Sequence, residues 1–225
     1  METLLVLGGL FVVALIAQLV SGHEKTTMAR LRLTEVPETA IAAIKDGTRV
    51  RIKGRLVARE ALRTSPISYN ECIGFRLTVD VHVGAGEDDD VEKAWKTVVE
   101  EDDVPTFVVA DETGEAVLHG PFELILAPFQ DGGNDLPTAV REALVRANVS
   151  REGFFGWDKH FRWFETILVP GDEIVAIGHA TMEIDPARRS PSHRDPPVSC
   201  HLRASEKPLI LADPIVVAAA EAKRT

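Results

Sequence analysis

Arg49, Arg51, Lys53 and Arg55 place four cations at a spacing of two, alternating with Val50, Ile52 and Leu56 around Gly54. This period predicts a half-buried strand with one cationic face. Four like charges over roughly 20 Å of strand repel one another. They call for an anion, either an anionic lipid surface or acidic side chains on a neighbouring strand. A second cluster is aromatic. Phe154, Phe155, Trp157, Phe161, Trp163 and Phe164 are six of the thirteen Phe, Trp and Tyr residues, packed into eleven positions and punctuated by Gly153 and Gly156. The rings either close one end of a barrel or, at Phe154, Phe155 and Trp157, stay exposed to enter a membrane interface or receive a partner.

Other reactive residues are sparse. Two cysteines, Cys72 and Cys200, cannot build a disulfide scaffold or a zinc-finger array. Cys72 reads as a small apolar packing residue. Cys200 beside His201 is a weak metal or redox cue. Glu165 reads as a strand-edge carboxylate paired with Arg162, with a catalytic acid as the alternative. The acidic runs at residues 87–90 and 100–103 read as solvated, and the first lacks the spacing and closing Glu of an EF-hand. The chain has no G-x-S-x-G, P-loop, G-x-G-x-x-G, H-E-x-x-H or C-x-x-C motif. No catalytic residue, metal site or cofactor is therefore assigned.

The elements that would position these residues follow from periodicity. A short helix is expected over residues 38–46, stopped by Gly47. Strands follow over 49–56 and 72–83. A hairpin over 106–118 turns at Asp111-Glu112-Thr113-Gly114, where Gly114 can supply positive φ. An amphipathic helix is expected over 136–148, with Ala139, Val140, Ala143, Leu144 and Ala147 on one side. Strands over 164–169 and 173–182 flank the turn Pro170-Gly171-Asp172. Residues 185–199 hold four prolines and read as a loop, and residues 209–211 as a last strand. The buried set should include Val50, Ile52, Leu56, Phe75, Leu77, Phe107, Val109, Leu168 and Ile177.

Residues 3–22 carry no charge and are long enough, at about 1.5 Å per residue, to cross roughly 30 Å of hydrocarbon. Only Glu2 precedes the run as a charged residue, and Val20-Ser21-Gly22 is a poor cleavage site. An uncleaved single-pass helix is expected. Lys25, Arg30 and Arg32 follow it, which places the N-terminus outside and the body in the cytoplasm, as in a bacterial inner membrane. Charge is segregated. Residues 23–63 carry a net +5, against −10 for the 225-residue chain, so the part beyond is strongly acidic. That pattern suits a body resting on an anionic leaflet and makes nucleic-acid binding an unfavoured partner class.

Three motifs in order carry a family resemblance. The first is Val50-Arg51-Ile52-Lys53-Gly54 followed by Leu62, Pro66, Ser68 and Cys72. The second is Pro105-Thr106-Phe107 with Asp111-Glu112-Thr113-Gly114. The third is Glu165-Thr166-Ile167-Leu168-Val169-Pro170-Gly171-Asp172 with Gly178. Together they resemble the GIDE-type ("beside a membrane") domain of membrane E3 ubiquitin ligases, over residues 47–180. Those ligases end in a RING, which needs about eight Cys and His ligands. Beyond residue 180 this chain has only Cys200, His193 and His201 as Cys and His residues, so ligase activity does not carry over. The resemblance and the patterning imply a mainly β chain with minor α: an anchor at 1–22, a juxtamembrane segment and short helix at 23–46, a small OB-like β-barrel with a helical insertion at 47–180, and a proline-rich loop with a last strand at 181–225. The function implied is a membrane-anchored interaction or sensing module with an unknown protein partner. The alternative is a subunit of a ubiquitin-ligase-like system whose RING lies on another chain, or an enzyme with an unrecognised site.

Overall fold

The computed structural model describes residues 33, 35–83, 95–152, 159–185 and 198–222. The uncharged run at 3–22 and the aromatics Phe154, Phe155 and Trp157 lie outside the described residues. Among the described residues no helix is long and apolar enough to cross a membrane.

In chain order the elements are β1 Arg49–Val57, β2 Arg63–Thr64, β3 Glu71–Cys72, β4 Gly74–His82, β5 Trp95–Asp103, β6 Phe107–Ala110, β7 Glu115–His119, β8 Phe122–Ile125, β9 Gln130–Gly132, α1 Thr138–Arg146, β10 Phe161–Leu168, β11 Glu173–Ile184, β12 Val198–Arg203, β13 Leu209–Ala212 and α2 Pro214–Ala222. The chain is mainly β, as its periodicities require. Five strands close a barrel in the order β1-β6-β7-β12-β11 and back to β1. All its contacts are antiparallel except β7 with β12, which is parallel. The interior is filled by side chains, among them Ile52, Phe107, Val109, Leu118, Leu202 and Leu211, as expected of a barrel this small. At Gly54 a Cβ would stand 2.5 Å from the Ala110 carbonyl oxygen, so the β1–β6 seam closes only over glycine.

Residues 47–180 do not all join that barrel. β5, β4, β10 and β9 form a separate four-stranded antiparallel sheet. Helix α1 covers it through Val140, Ala143 and Leu144, which pack on Leu77, Val79 and Phe161. The barrel instead takes its closing strand, β12, from the proline-rich C-terminal stretch. Ser199, Cys200, His201 and Leu202 are all buried, so β12 shows no alternation from which a strand could be read. Of the nine side chains expected inside, eight are buried and Phe75 is half-buried. Leu77 belongs to the sheet core, and Ile177 faces outward under α2.

Local chemistry explains two further departures. Only a 3-10 turn, Ile41–Ala43, forms where a helix was expected over 38–46. The Ile41 and Ala42 amides donate to Asp111 Oδ2 and Thr113 Oγ1 rather than continuing a helix. The 106–118 hairpin forms, but positive φ occurs at Gly47 and Gly171 rather than Gly114. Asp111 Oδ1 holds the turn by accepting the Thr113 and Gly114 amides, at 2.6 and 2.9 Å. Burial alone would raise the Asp111 pKa, but these bonds, the Thr113 hydroxyl and the Ile41 amide hold it below the usual carboxylate range.

Candidate functional site

The cationic strand is largely neutralised within the chain. Arg49 lies 3.9 Å from Glu35, Arg51 2.8 Å from Glu221 and Lys53 3.0 Å from Glu173. Arg55 is exposed. Arg51 is buried despite sharing a face with exposed residues, because Leu33 and α2 cover it. Its Nη1 donates to the Leu33 carbonyl and to Glu221, both at 2.8 Å, while its buried Nε has no partner. The crowding of positive charge on β1 is thus answered by Glu173 on the neighbouring strand β11, by Glu35 before β1 and by Glu221 of α2.

Glu165 is not paired with Arg162. Residues three apart on a strand point to opposite faces. Arg162 instead meets Asp80 at 2.9 Å and lies over the Trp95 ring at 4.6 Å. Glu165 is fully buried and accepts the Ile67 and Ser68 amides, at 2.8 and 3.0 Å. Its carboxylate therefore ties the 66–68 turn to β10. Cys72 is also fully buried, and burial, followed by the charge of Glu165, pushes its thiol pKa up. A protonated, enclosed thiol is a packing group, not a nucleophile. Cys200 packs in the barrel core while His201, its neighbour, points to the opposite side. Among the described residues no group of three metal-ligating side chains forms.

The acidic run at 100–103 lies on an edge strand, with Glu100, Asp102 and Asp103 exposed as expected, and each carboxylate also has an arginine partner. Arg76 binds Glu100 and Asp102, Arg146 binds Glu101, and Arg63 binds Asp103. Salt-bridged carboxylates along an exposed edge also discourage pairing with other chains.

The most organised polar line was not read from the sequence. The Ser199 hydroxyl lies 2.6 Å from His201 Nε2, His201 Nδ1 lies 2.8 Å from His119 Nε2, and Thr106 Oγ1 lies 3.4 Å from His119 Nδ1. Ser199 and His201 share a face of β12 because they are two apart. The parallel β7 brings in His119 from 82 residues away. Burial lowers the proton affinity of both imidazoles. At His119 the charges of Arg203 and His201 add to this, whereas at His201 Glu183 opposes it. With both rings neutral, each carries one N–H. Donation from Ser199 through His201 and His119 to Thr106 then satisfies every bond, and the reverse sense does so equally. A hydroxyl held on a base that a third group orients is the arrangement of an activated nucleophile. Ser199 is only 6% exposed, however, so the hydroxyl is closed to a substrate in this conformation.

Shallow cavities occur among the described residues. One, of about 240 Å³, lies by the Pro170-Gly171-Asp172 turn between Leu56, Phe129 and Ile167. Another, of about 280 Å³, lies between His82, Trp95, Asn134 and His160. Both fall short of the usual volume of an enclosed small-molecule site, roughly 300 Å³ and upward. No protein-family model, curated protein or solved structure matches this chain.

Proposed function

We propose that this protein is a membrane-anchored interaction module: an OB-like barrel of the GIDE type, tethered by residues 1–22 and held on the cytoplasmic side, where it recruits a protein partner. One observation carries the reading. Leu33, eleven residues beyond the uncharged run, is fully buried against the barrel, and its carbonyl is bound by Arg51, which also binds Glu221 of α2. The chain leaving the run is therefore fastened to the body within a short reach rather than trailing from a long linker. The barrel order supports the OB-like part. Numbered within the barrel, its strands run 1-2-3-5-4-1 with a parallel contact between the third and fifth, a five-stranded Greek-key closure. Full-length protein in cell membranes should stay in the pellet through high salt and alkaline carbonate and leave it only with detergent. Recovery in the soluble fraction would refute the reading.

A second reading, an enzyme, is favoured by the Ser199–His201–His119 line. It requires a fluorophosphonate to label Ser199, and the label to vanish in His201→Ala. A folded full-length protein that stays unlabelled removes this reading and leaves the first intact.

A further inference from the structure

Helix α2 is apolar on both sides. Val216 and Val217 are buried with Leu33, Val175, Ile177 and Ile210. Ile215, Ala218 and Ala222, at spacing i, i+3 and i+7, lie on the opposite side and are exposed, Ile215 to 62%. The helix has one charged residue, Glu221, and its carboxylate turns to Arg51. The outward stripe is therefore uncharged, which is unusual for a surface helix. Two neighbours could cover it: a lipid surface or a second copy of this chain.

The position of the helix decides between them. Leu33 packs in the same cluster as Val216 and Val217. The stretch between the uncharged run and Leu33 spans at most about 40 Å when fully extended, so α2 sits beside the point where the tether meets the body. Lys25, Arg30 and Arg32 flank the tether, and Lys223-Arg224 follow α2 in sequence. Basic residues close in sequence to the tether and to the helix fit a boundary with anionic headgroups. We propose that the Ile215–Ala218–Ala222 stripe of α2 rests in the lipid interface and sets the orientation of the barrel on the bilayer. The inference rests on the anchored reading above. One isoleucine and two alanines bind lipid weakly by themselves. The tether makes this contact sufficient, because a linked surface meets the bilayer at a high effective concentration.

The test uses the full chain in vesicles containing anionic lipid, spin-labelled at Ile215→Cys, at Val145→Cys on α1 (77% exposed) or at Leu10→Cys in the uncharged run. The chain without an introduced cysteine serves as baseline for the buried Cys72 and Cys200. The label at 215 should lose most of its collisions with a water-soluble nickel complex and gain collisions with oxygen, while the label at 145 stays aqueous and the label at 10 lies deep. A deep label at 10 with an aqueous label at 215 overturns this inference and spares the anchor. An aqueous label at 10 overturns both. Dipolar broadening between labels at 215 that grows with protein density gives the face to a second copy and likewise overturns the lipid assignment.

Discussion

Removing Glu221 should harm this protein more than removing the cation it serves. The Arg51 guanidinium is buried, with two acceptors and one orphaned nitrogen. Glu221→Ala leaves that charge enclosed with only the Leu33 carbonyl. Breaking a fully buried pair costs about 3–5 kcal/mol, but the Glu221 side chain is 49% exposed, so water reaches the site and about 2–3 kcal/mol is the better figure. Arg51→Met removes the charge, fills similar volume and releases Glu221 to solvent. Its cost is the lost bond to the Leu33 carbonyl, about 1 kcal/mol. The double variant should match Arg51→Met within about 0.5 kcal/mol, because its second change removes a carboxylate that no longer has a partner. Thermal unfolding of the full chain in detergent, followed by tryptophan fluorescence, reads the difference. For a chain of this size Glu221→Ala should lower Tm by about 4–12 °C and Arg51→Met by about 2–4 °C. If Glu221→Ala costs no more than Arg51→Met, the contact is an ordinary surface ion pair and does not fasten the tether.

Three further outcomes are expected. His119 and His201 hold fewer protons folded than unfolded, so stability should fall as pH drops from about 6.5 through their lowered folded pKa values. Denaturation midpoints at pH 7.5 and 5.5 check this, and an equal slope in a His119→Asn/His201→Asn variant would show that other groups carry it. Glu165→Ala leaves the Ile67 and Ser68 amides without an acceptor and should cost about 2–4 kcal/mol, with Glu165→Gln costing less because one carbonyl oxygen remains; equal losses in the two variants would contradict the turn-tying role. Gly54→Ala forces a methyl against the Ala110 carbonyl and should cost about 1–3 kcal/mol by overpacking, whereas an unchanged Tm would mean that the β1–β6 seam gives way easily.

How far the sequence could be read depended on whether a strand has one dry face or two. β1, the β6–β7 hairpin and β11 were legible because apolar and polar residues alternate or a turn motif marks the corner. α1 was legible from its 3.6-residue stripe. β12 was not, since it is buried on both faces and reads as an irregular string. Missing it also hid the parallel closure of the barrel and the His119–His201 contact, which no local spacing encodes. β5 was lost for a different reason. Its four carboxylates read as solvent-facing charge, which three of them are, and the arginines that pair with them, Arg63, Arg76 and Arg146, come from three distant segments. Arg51 shows the limit of period-two reasoning, which correctly placed it on one face with Arg49 and Lys53 but could not show that Leu33 and α2 roof that part of the face.

Protease accessibility in sealed vesicles tests the central claim most directly. In inverted vesicles from expressing cells, added protease should digest the body and leave a short membrane-embedded fragment containing residues 3–22. In right-side-out vesicles the body should survive until detergent is added. Digestion from the outside, or a body that appears in the supernatant before any protease is present, would contradict the account.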